Sequence, residues 1–336
     1  MFGPLSLAAR RRALGTASKA SLLLKALGPF FGLLVVIGLF AALPEVRPHF
    51  LTGGNAKIIL SQTAIVAIGA LGMTMIIVSG GIDLSVGSVV ALTSVVAATV
   101  LVKGMPPIVA GAAAILTGGF IGLLNGVLIG GLRMMPFIVT LGMMGIARGL
   151  AKWLANSQTV NPPDNPINSL MAAEQPDRLL PLPSGVWLAL VLAVLTSLVM
   201  RQTVFGRYIF AIGSNETAAR LSGVRVQLHK ALIYSLAGLL FGLAGLLQLA
   251  RLTQGDPTVA IGLELDIIAA VVIGGASLNG GVGGILGSMI GALIMAVLRN
   301  GSNQLGLPTY MEEILIGAVI VLAVGLDKLR QRRQVP

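Results

Sequence analysis

Long uncharged runs alternate with short polar breaks along almost the whole chain. Residues 58–78 and 86–102 contain no Asp, Glu, Lys or Arg, and little but the hexapeptide GGIDLS (80–85) separates them. About twenty consecutive apolar residues cross the ~30 Å hydrocarbon layer of a bilayer as a helix. Read at that length, the pattern predicts spans at 27–44, 56–78, 86–102, 107–130, 137–155, 185–201, 231–250, 264–278, 283–299 and 309–326. The expected fold is all-α, a polytopic membrane protein of about ten transmembrane helices. Its transmembrane body covers 27–326, between a basic tail at 1–26 and a second tail at 327–336.

An even number of spans puts both tails on one side, and the charges name the side. Arg10, Arg11, Arg12, Lys19 and Lys25 lie in the first tail, Arg201, Arg207, Arg220, Arg225 and Lys230 in or beside the connecting segment 202–230, and Lys328, Arg330, Arg332 and Arg333 in the last tail. The opposite loop, 156–184, has one basic residue, Arg178, against Asp164, Glu174 and Asp177. Basic loops stay in the cytoplasm, so both termini are expected there. The start of the chain has the basic character of a signal-peptide n-region. That region is too long, and no small-x-small cleavage site precedes a soluble domain, so it reads as a cytoplasmic tail before a retained helix. Loop 156–184 is too rich in Pro, Asn and Asp to enter lipid and reads as the largest external feature.

Two stretches repeat. GGFIGLLNGVLIGG (118–131) aligns with GGILGSMIGALIMA (283–296), matching Gly118, Gly119, Gly122, Gly126, Leu128 and Ile129 to Gly283, Gly284, Gly287, Gly291, Leu293 and Ile294. A proline and another span follow each copy, and the copies are an odd number of spans apart. An inverted internal repeat is expected, a transporter architecture. The ladders Gly118/Gly122/Gly126 and Gly283/Gly287/Gly291 fall on single helix faces and predict close helix crossings rather than solute contacts. A shorter echo, GGIDLSVG (80–87) against GGASLNGG (274–281), would require the same orientation.

Composition narrows the class. The chain is 55% hydrophobic and 10% charged, where soluble domains carry about 25% charge. Its 44 glycines suit a tightly crossed bundle in a lipid bilayer rather than one anchor with a soluble head. The net charge of +11 does not indicate nucleic acid, because the basic residues sit at the ends of spans. There is no cysteine, and His49 and His229 are far apart, so no metal site and no cofactor is expected in the chain. GGVGGILG (280–287) lacks the Lys-Ser/Thr of a phosphate-binding loop, so ATP chemistry would belong to another chain.

The polar residues inside spans are few. Asp83 would cost roughly 2.5–3.5 kcal/mol at a bilayer centre. It either caps the span starting near Val86 or lines a polar path, and its place between two spans favours the cap. Gln62, Thr63, Asn125, Thr140, Arg148 and Gln248 are read first as satisfying neighbouring helices. Gln62 and Asn125 stand out because an amide both donates to and accepts from hydroxyl groups. With Thr63, Asp83 and Ser85 they form the candidate solute path.

The most telling polar segment is FGRYIFAIGSNETAARLSGVRV (205–226). Ser214 or Asn215 suits an N-cap, Glu216 a first turn, and Gly223 a stop, which predicts a short helix over 216–222. Its length and position suit docking on a cytosolic partner.

Taken together, GMTMIIVSGGIDLSVGSVVALT (72–93), FGRYIFAIGSNETAARLSGV (205–224) and ELDIIAAVVIGGASLNGG (264–281) resemble the membrane permease of ribose-type bacterial ABC sugar importers, a likeness running from about Phe50 to Leu326. The resemblance implies a non-enzymatic ten-span permease in the inner membrane, translocating a ribose-like pentose or hexose. It implies pairing with a second permease copy, a cytosolic ATPase that binds ATP and Mg, and a periplasmic sugar-binding protein. It also implies that Ser214, Asn215, Glu216, Ala218, Ala219, Arg220, Ser222 and Gly223 form the coupling helix seated in the ATPase. Ser214 departs from the family, which commonly has Gly there, and loop 156–184 has its own sequence. Alternatives are related permeases for nucleosides, autoinducer-type sugars or branched-chain amino acids. More distant is a secondary transporter, for which Asp83 is a poor sole coupling group.

Overall fold

The computed structural model describes residues 28–172 and 182–332. The expected tail 1–26, the charged part of the external loop at 173–181 and the last four residues lie outside them. The chain forms helices α1 (Gly28–Ala42), α2 (Arg47–Phe50), α3 (Gly53–Val78), α4 (Val86–Val102), α5 (Pro107–Gly131), α6 (Pro136–Leu154), α7 (Ser184–Gln202), α8 (Val204–Ser214), α9 (Glu216–Leu221), α10 (Val226–Leu252), α11 (Leu263–Ile273), α12 (Ile285–Gln304) and α13 (Thr309–Arg332). Among the described residues there is no strand; one antiparallel bridge joins Val160 to Gly255. Among the described residues, six helices (α3, α5, α6, α7, α10 and α12) are long and apolar enough to cross a membrane.

The bundle is organised around α3 and α10, which lie against each other. Helix α3 is apolar on all sides and almost wholly buried, as expected for a helix enclosed by other helices rather than facing lipid. The repeat is visible in the packing. α5 packs on α4 and α10, just as α12 packs on α11 and α3; α6 packs on α4 and α13 on α11; α10 runs along α4 and α3 along α11. Exchanging α3, α4, α5 and α6 for α10, α11, α12 and α13 maps this pattern onto itself.

Glycine makes the α5–α10 crossing close. Gly118 lies on Gly238 and Gly242, Gly122 on Tyr234 and Gly238, and Gly126 on Ala231, all backbone to backbone. On α12, Gly287 meets Gly274, which follows α11, and Gly291 meets Ala270 of α11. Gly283 is not on that face: α12 starts at Ile285, and Gly283 lies in the preceding turn against Val78 and Ala276. At the far end of the bundle an amide cluster ties α3 to α12, with Asn300 and Gln304 both donating to Asn55 Oδ1 at 2.9 and 2.8 Å.

Two expected elements need correction. The segment 204–214, read as part of a polar connector, is helix α8, capped by Thr203, whose hydroxyl accepts from Gly206 N. The expected span 264–278 is broken. Helix α11 has 11 residues, about 16 Å, half of what a crossing needs. The chain reaches it through an irregular stretch that descends along α4. Gly255 lies against Ala98 and Ser94, while Ala260 reaches Gly87, about 10–16 Å further along that helix.

Irregular backbone at membrane depth survives only where protein satisfies it. Here Arg148 of α6 donates to the carbonyl oxygens of Pro257 and Val259 at 2.8 and 2.7 Å. Hydrogen bonds from a charged group contribute about 1.5–3 kcal/mol each. Arg148→Met is therefore expected to lower the melting temperature in detergent and to speed amide exchange selectively over 255–262. Exchange as slow as in the unaltered chain would show that this clamp is dispensable.

Candidate functional site

Three places bring the polar residues together. The first lies at the end of the bundle formed by α8, α9 and the turns after α3 and α11. Asn215 caps α9, its Oδ1 accepting from Ala218 N at 2.9 Å. Gly223, at φ +87, closes the helix, and Val224 N returns to Ala219 O. Glu216 accepts from Arg220 at 2.7 Å and from Lys230 of α10 at 2.6 Å. Burial alone would raise the Glu216 carboxyl; the hydrogen bond and charge of Lys230, together with Arg220, outweigh it and hold it below its ordinary value.

Ala219 points inward and packs with Ile212 and Val226. Ala218, Arg220, Leu221 and Ser222 point outward, and Leu221 is 85% exposed. The helix is thus fixed at its root and bare on its outer face. His229 reinforces the root, its ring stacked on Phe205 and edge-on to Tyr208 of α8.

Just before α9, three backbones meet without side chains between them. A β-carbon on Gly213 would fall on the Val78 carbonyl at the end of α3, and Gly280 lies against Gly213 and Gly80. Gly281 N donates to Val78 O at 2.8 Å. Gly80, Gly280 and Gly281 have φ of +82, +83 and +73, a region that favours glycine. The stretches 72–93, 205–224 and 264–281, separate in sequence, converge here.

The second place is a buried knot around Asp83. Asp83 does not cap α4. The residue preceding that helix is Ser85, in helical conformation and without a side-chain cap. Asp83 Oδ1 instead accepts from Ser85 N and Ser85 Oγ at 2.8 and 2.6 Å. Asn125 of α5 donates to Ser85 Oγ at 3.2 Å and approaches Asp83 Oδ2 at 3.4 Å. Tyr234 of α10 donates to Ile82 O. The knot fixes the turn that leads into α4, and its residues line neither cleft described next. Thr63, also buried, donates back to Ile59 O within its own helix.

The third place is at the opposite end. A cleft of about 620 Å³ lies between α3, the end of α10 and loop residues 164–172, lined by Ser61, Asp164, Asn165, Asn168 and Arg251 among others. A second, of about 260 Å³, is lined by Gln62, Gln248, Arg251, Asp266, Arg299 and Asn303. Arg251 lines both. Arg299 Nε donates to Asp266 Oδ2 at 2.6 Å, with Glu312 at 3.7 Å. Gln62 and Gln248 thus share one cleft. The Asp266–Arg299 pair went unread in the sequence, although opposite charges within or ending two neighbouring apolar runs were a legible signal.

Comparison with known proteins fits this architecture. The chain is 43% identical over 299 residues to the ribose import permease protein RbsC of Escherichia coli K12, covering 89% of this chain and 93% of that one. It is 40% identical to RbsC of Bacillus subtilis, covering 90% and 92%. It is 36% identical to the L-arabinose ABC transporter permease protein AraH of Azospirillum brasilense, covering 90% and 88%. No solved structure matches the chain. The family model described as branched-chain amino acid transport system / permease component matches residues 55–324, and with relatives of this identity over most of its length the chain belongs to that family of multi-pass membrane permeases.

Proposed function

We propose that this chain is the permease subunit of a binding-protein-dependent, ATP-driven importer of a monosaccharide across a bacterial inner membrane. The relatives matching nearly the whole chain are named for ribose and L-arabinose, and another for D-allose. This favours a pentose or hexose over the amino acid in the family description. The observation that carries the reading is α9: a short, self-capped helix with a bare outer face, rooted in backbone contact with the turns after α3 and α11.

On this reading a cytosolic ATPase, which binds ATP and Mg, receives α9 from each of two permease copies. Closure of the ATPase moves α9 and, through Gly213, the ends of α3 and α11. The end carrying loop 156–184 faces the periplasm and receives sugar from a soluble binding protein, and both termini lie in the cytoplasm, as the basic residues at 201–230 support. This chain performs no covalent chemistry; it supplies the pathway and the two-state element. Asp83, Ser85 and Asn125 hold the turn into α4, and Gln62 faces the pathway.

The test is uptake of radiolabelled D-ribose, L-arabinose and D-allose into proteoliposomes holding this chain and its genomic-neighbour ATPase. Accumulation of at least one sugar should need both internal ATP and external binding protein. Accumulation driven by an ion gradient without ATP would establish a secondary transporter instead.

A further inference from the structure

We propose that the two clefts joined at Arg251 form a passage for a neutral polyhydroxylated solute, with Ser61, Gln62, Gln248 and Asp266 as its hydroxyl-recognising groups. The inference rests on the importer reading and adds the site. Its basis is unmet hydrogen bonding. Ser61 is 6% exposed and Asp266 1%, yet Ser61 Oγ, Gln62 Oε1 and Asp266 Oδ1 have no partner among the described residues. Buried polar atoms are almost always paired, so three orphans along one passage point to something that pairs them in the working state. Gln248, 9% exposed, lines the same cleft as Gln62 and Asp266.

The donor–acceptor balance selects the solute. Gln62 Oε1 and Asp266 Oδ1 can only accept, and Ser61 both gives and takes. An anion without hydroxyl groups brings no proton to the two acceptors, although Arg251 would attract it. A cation meets the guanidinium groups of Arg251 and Arg299. A sugar hydroxyl donates to the carboxylate or amide oxygen and accepts from Arg251 or the Gln248 amide, so a ring with several hydroxyls satisfies the whole set without net charge. The second cleft, about 260 Å³, lies just below the usual ~300–1,000 Å³ of ligand pockets, which suits a small solute.

The chain has no cysteine, so a single introduced thiol reports on its own site. Gln62→Cys and Gln248→Cys, made separately in the full chain assembled with its ATPase and binding protein, should react with a small membrane-impermeant thiol reagent added outside. Sugar-loaded binding protein should slow that reaction at least about tenfold, as expected for a solute held by one or two hydrogen bonds. Gln158→Cys, exposed in loop 156–184, should be modified at an unchanged rate. In parallel, Gln62→Leu and Ser61→Ala should cut uptake about tenfold while stimulated ATP hydrolysis persists.

Unreactive thiols at 62 and 248, or reactive ones that sugar does not protect, overturn the proposal, as do Leu and Ala variants that import at the unaltered rate. An unaltered complex that hydrolyses ATP but imports none of the three sugars overturns the importer reading first, and the passage with it.

Discussion

Aspartate in place of Leu221, or tryptophan in place of Ala218, should abolish import while leaving the bundle folded, if α9 docks on the ATPase as proposed. Both side chains are on the bare face of α9, and the groups that hold the helix are all elsewhere: the Asn215 cap, Ala219 against Ile212 and Val226, and Glu216 on Lys230. A leucine 85% exposed on a helix of six residues adds nothing to the stability of the isolated chain. Burying it in a partner is worth about 1.5–3 kcal/mol, or roughly ten- to a hundredfold in affinity. Leu221→Asp should lower ATPase co-purification by that factor and uncouple hydrolysis from uptake, with the melting temperature of the permease unchanged. Ala219→Trp is the contrast. It should dislodge α9 from its own root and shift its exchange protection as well. Normal uptake by Leu221→Asp would remove α9 from the coupling role.

Valine at Gly213 should be the most damaging single change in the transmembrane body. No rotamer avoids the clash, because the β-carbon itself falls on the Val78 carbonyl and crowds Gly281 N. Forcing atoms into close-packed structure costs about 1–3 kcal/mol, more where backbone must move. We expect a chain that still inserts but melts lower and gives no transport. Gly145→Ala in α6 is the control. Its β-carbon meets nothing, and alanine's helix preference over glycine of about 1 kcal/mol makes it neutral or stabilising. Equal melting temperatures for Gly213→Val and the unaltered chain would mean that the three-backbone junction yields freely.

Much of the fold was legible because lipid reduces the problem to length and charge. The uncharged run 86–102 coincides with α4, and Asn215-Glu216 with a distal Gly223 marked α9. The errors have physical causes. Helix α8 carries Arg207 and Tyr208 within eleven residues and so reads as connector, although it is anchored by ring contacts to His229. The apolar run over 267–273 does not say that the backbone before the helix is irregular. Asp83 sits two residues ahead of where a cap would act, and its true partners, Ser85 and Asn125, are joined only once α5 is packed. The orphaned atoms of Ser61, Gln62 and Asp266 could not be read at all, since being unpaired is a property of three-dimensional surroundings.

The Arg148 clamp has a consequence for biogenesis. The acceptor at Pro257 lies 109 residues downstream of Arg148. At about 5–20 residues per second of synthesis, the guanidinium waits on the order of 5–20 s before its carbonyls exist. A charged side chain in mid-span is costly until it is paired, so α6 should stay beside the insertion machinery until α10 and the stretch after it emerge. Maturation of the first half of the molecule is in this way tied to the arrival of the second.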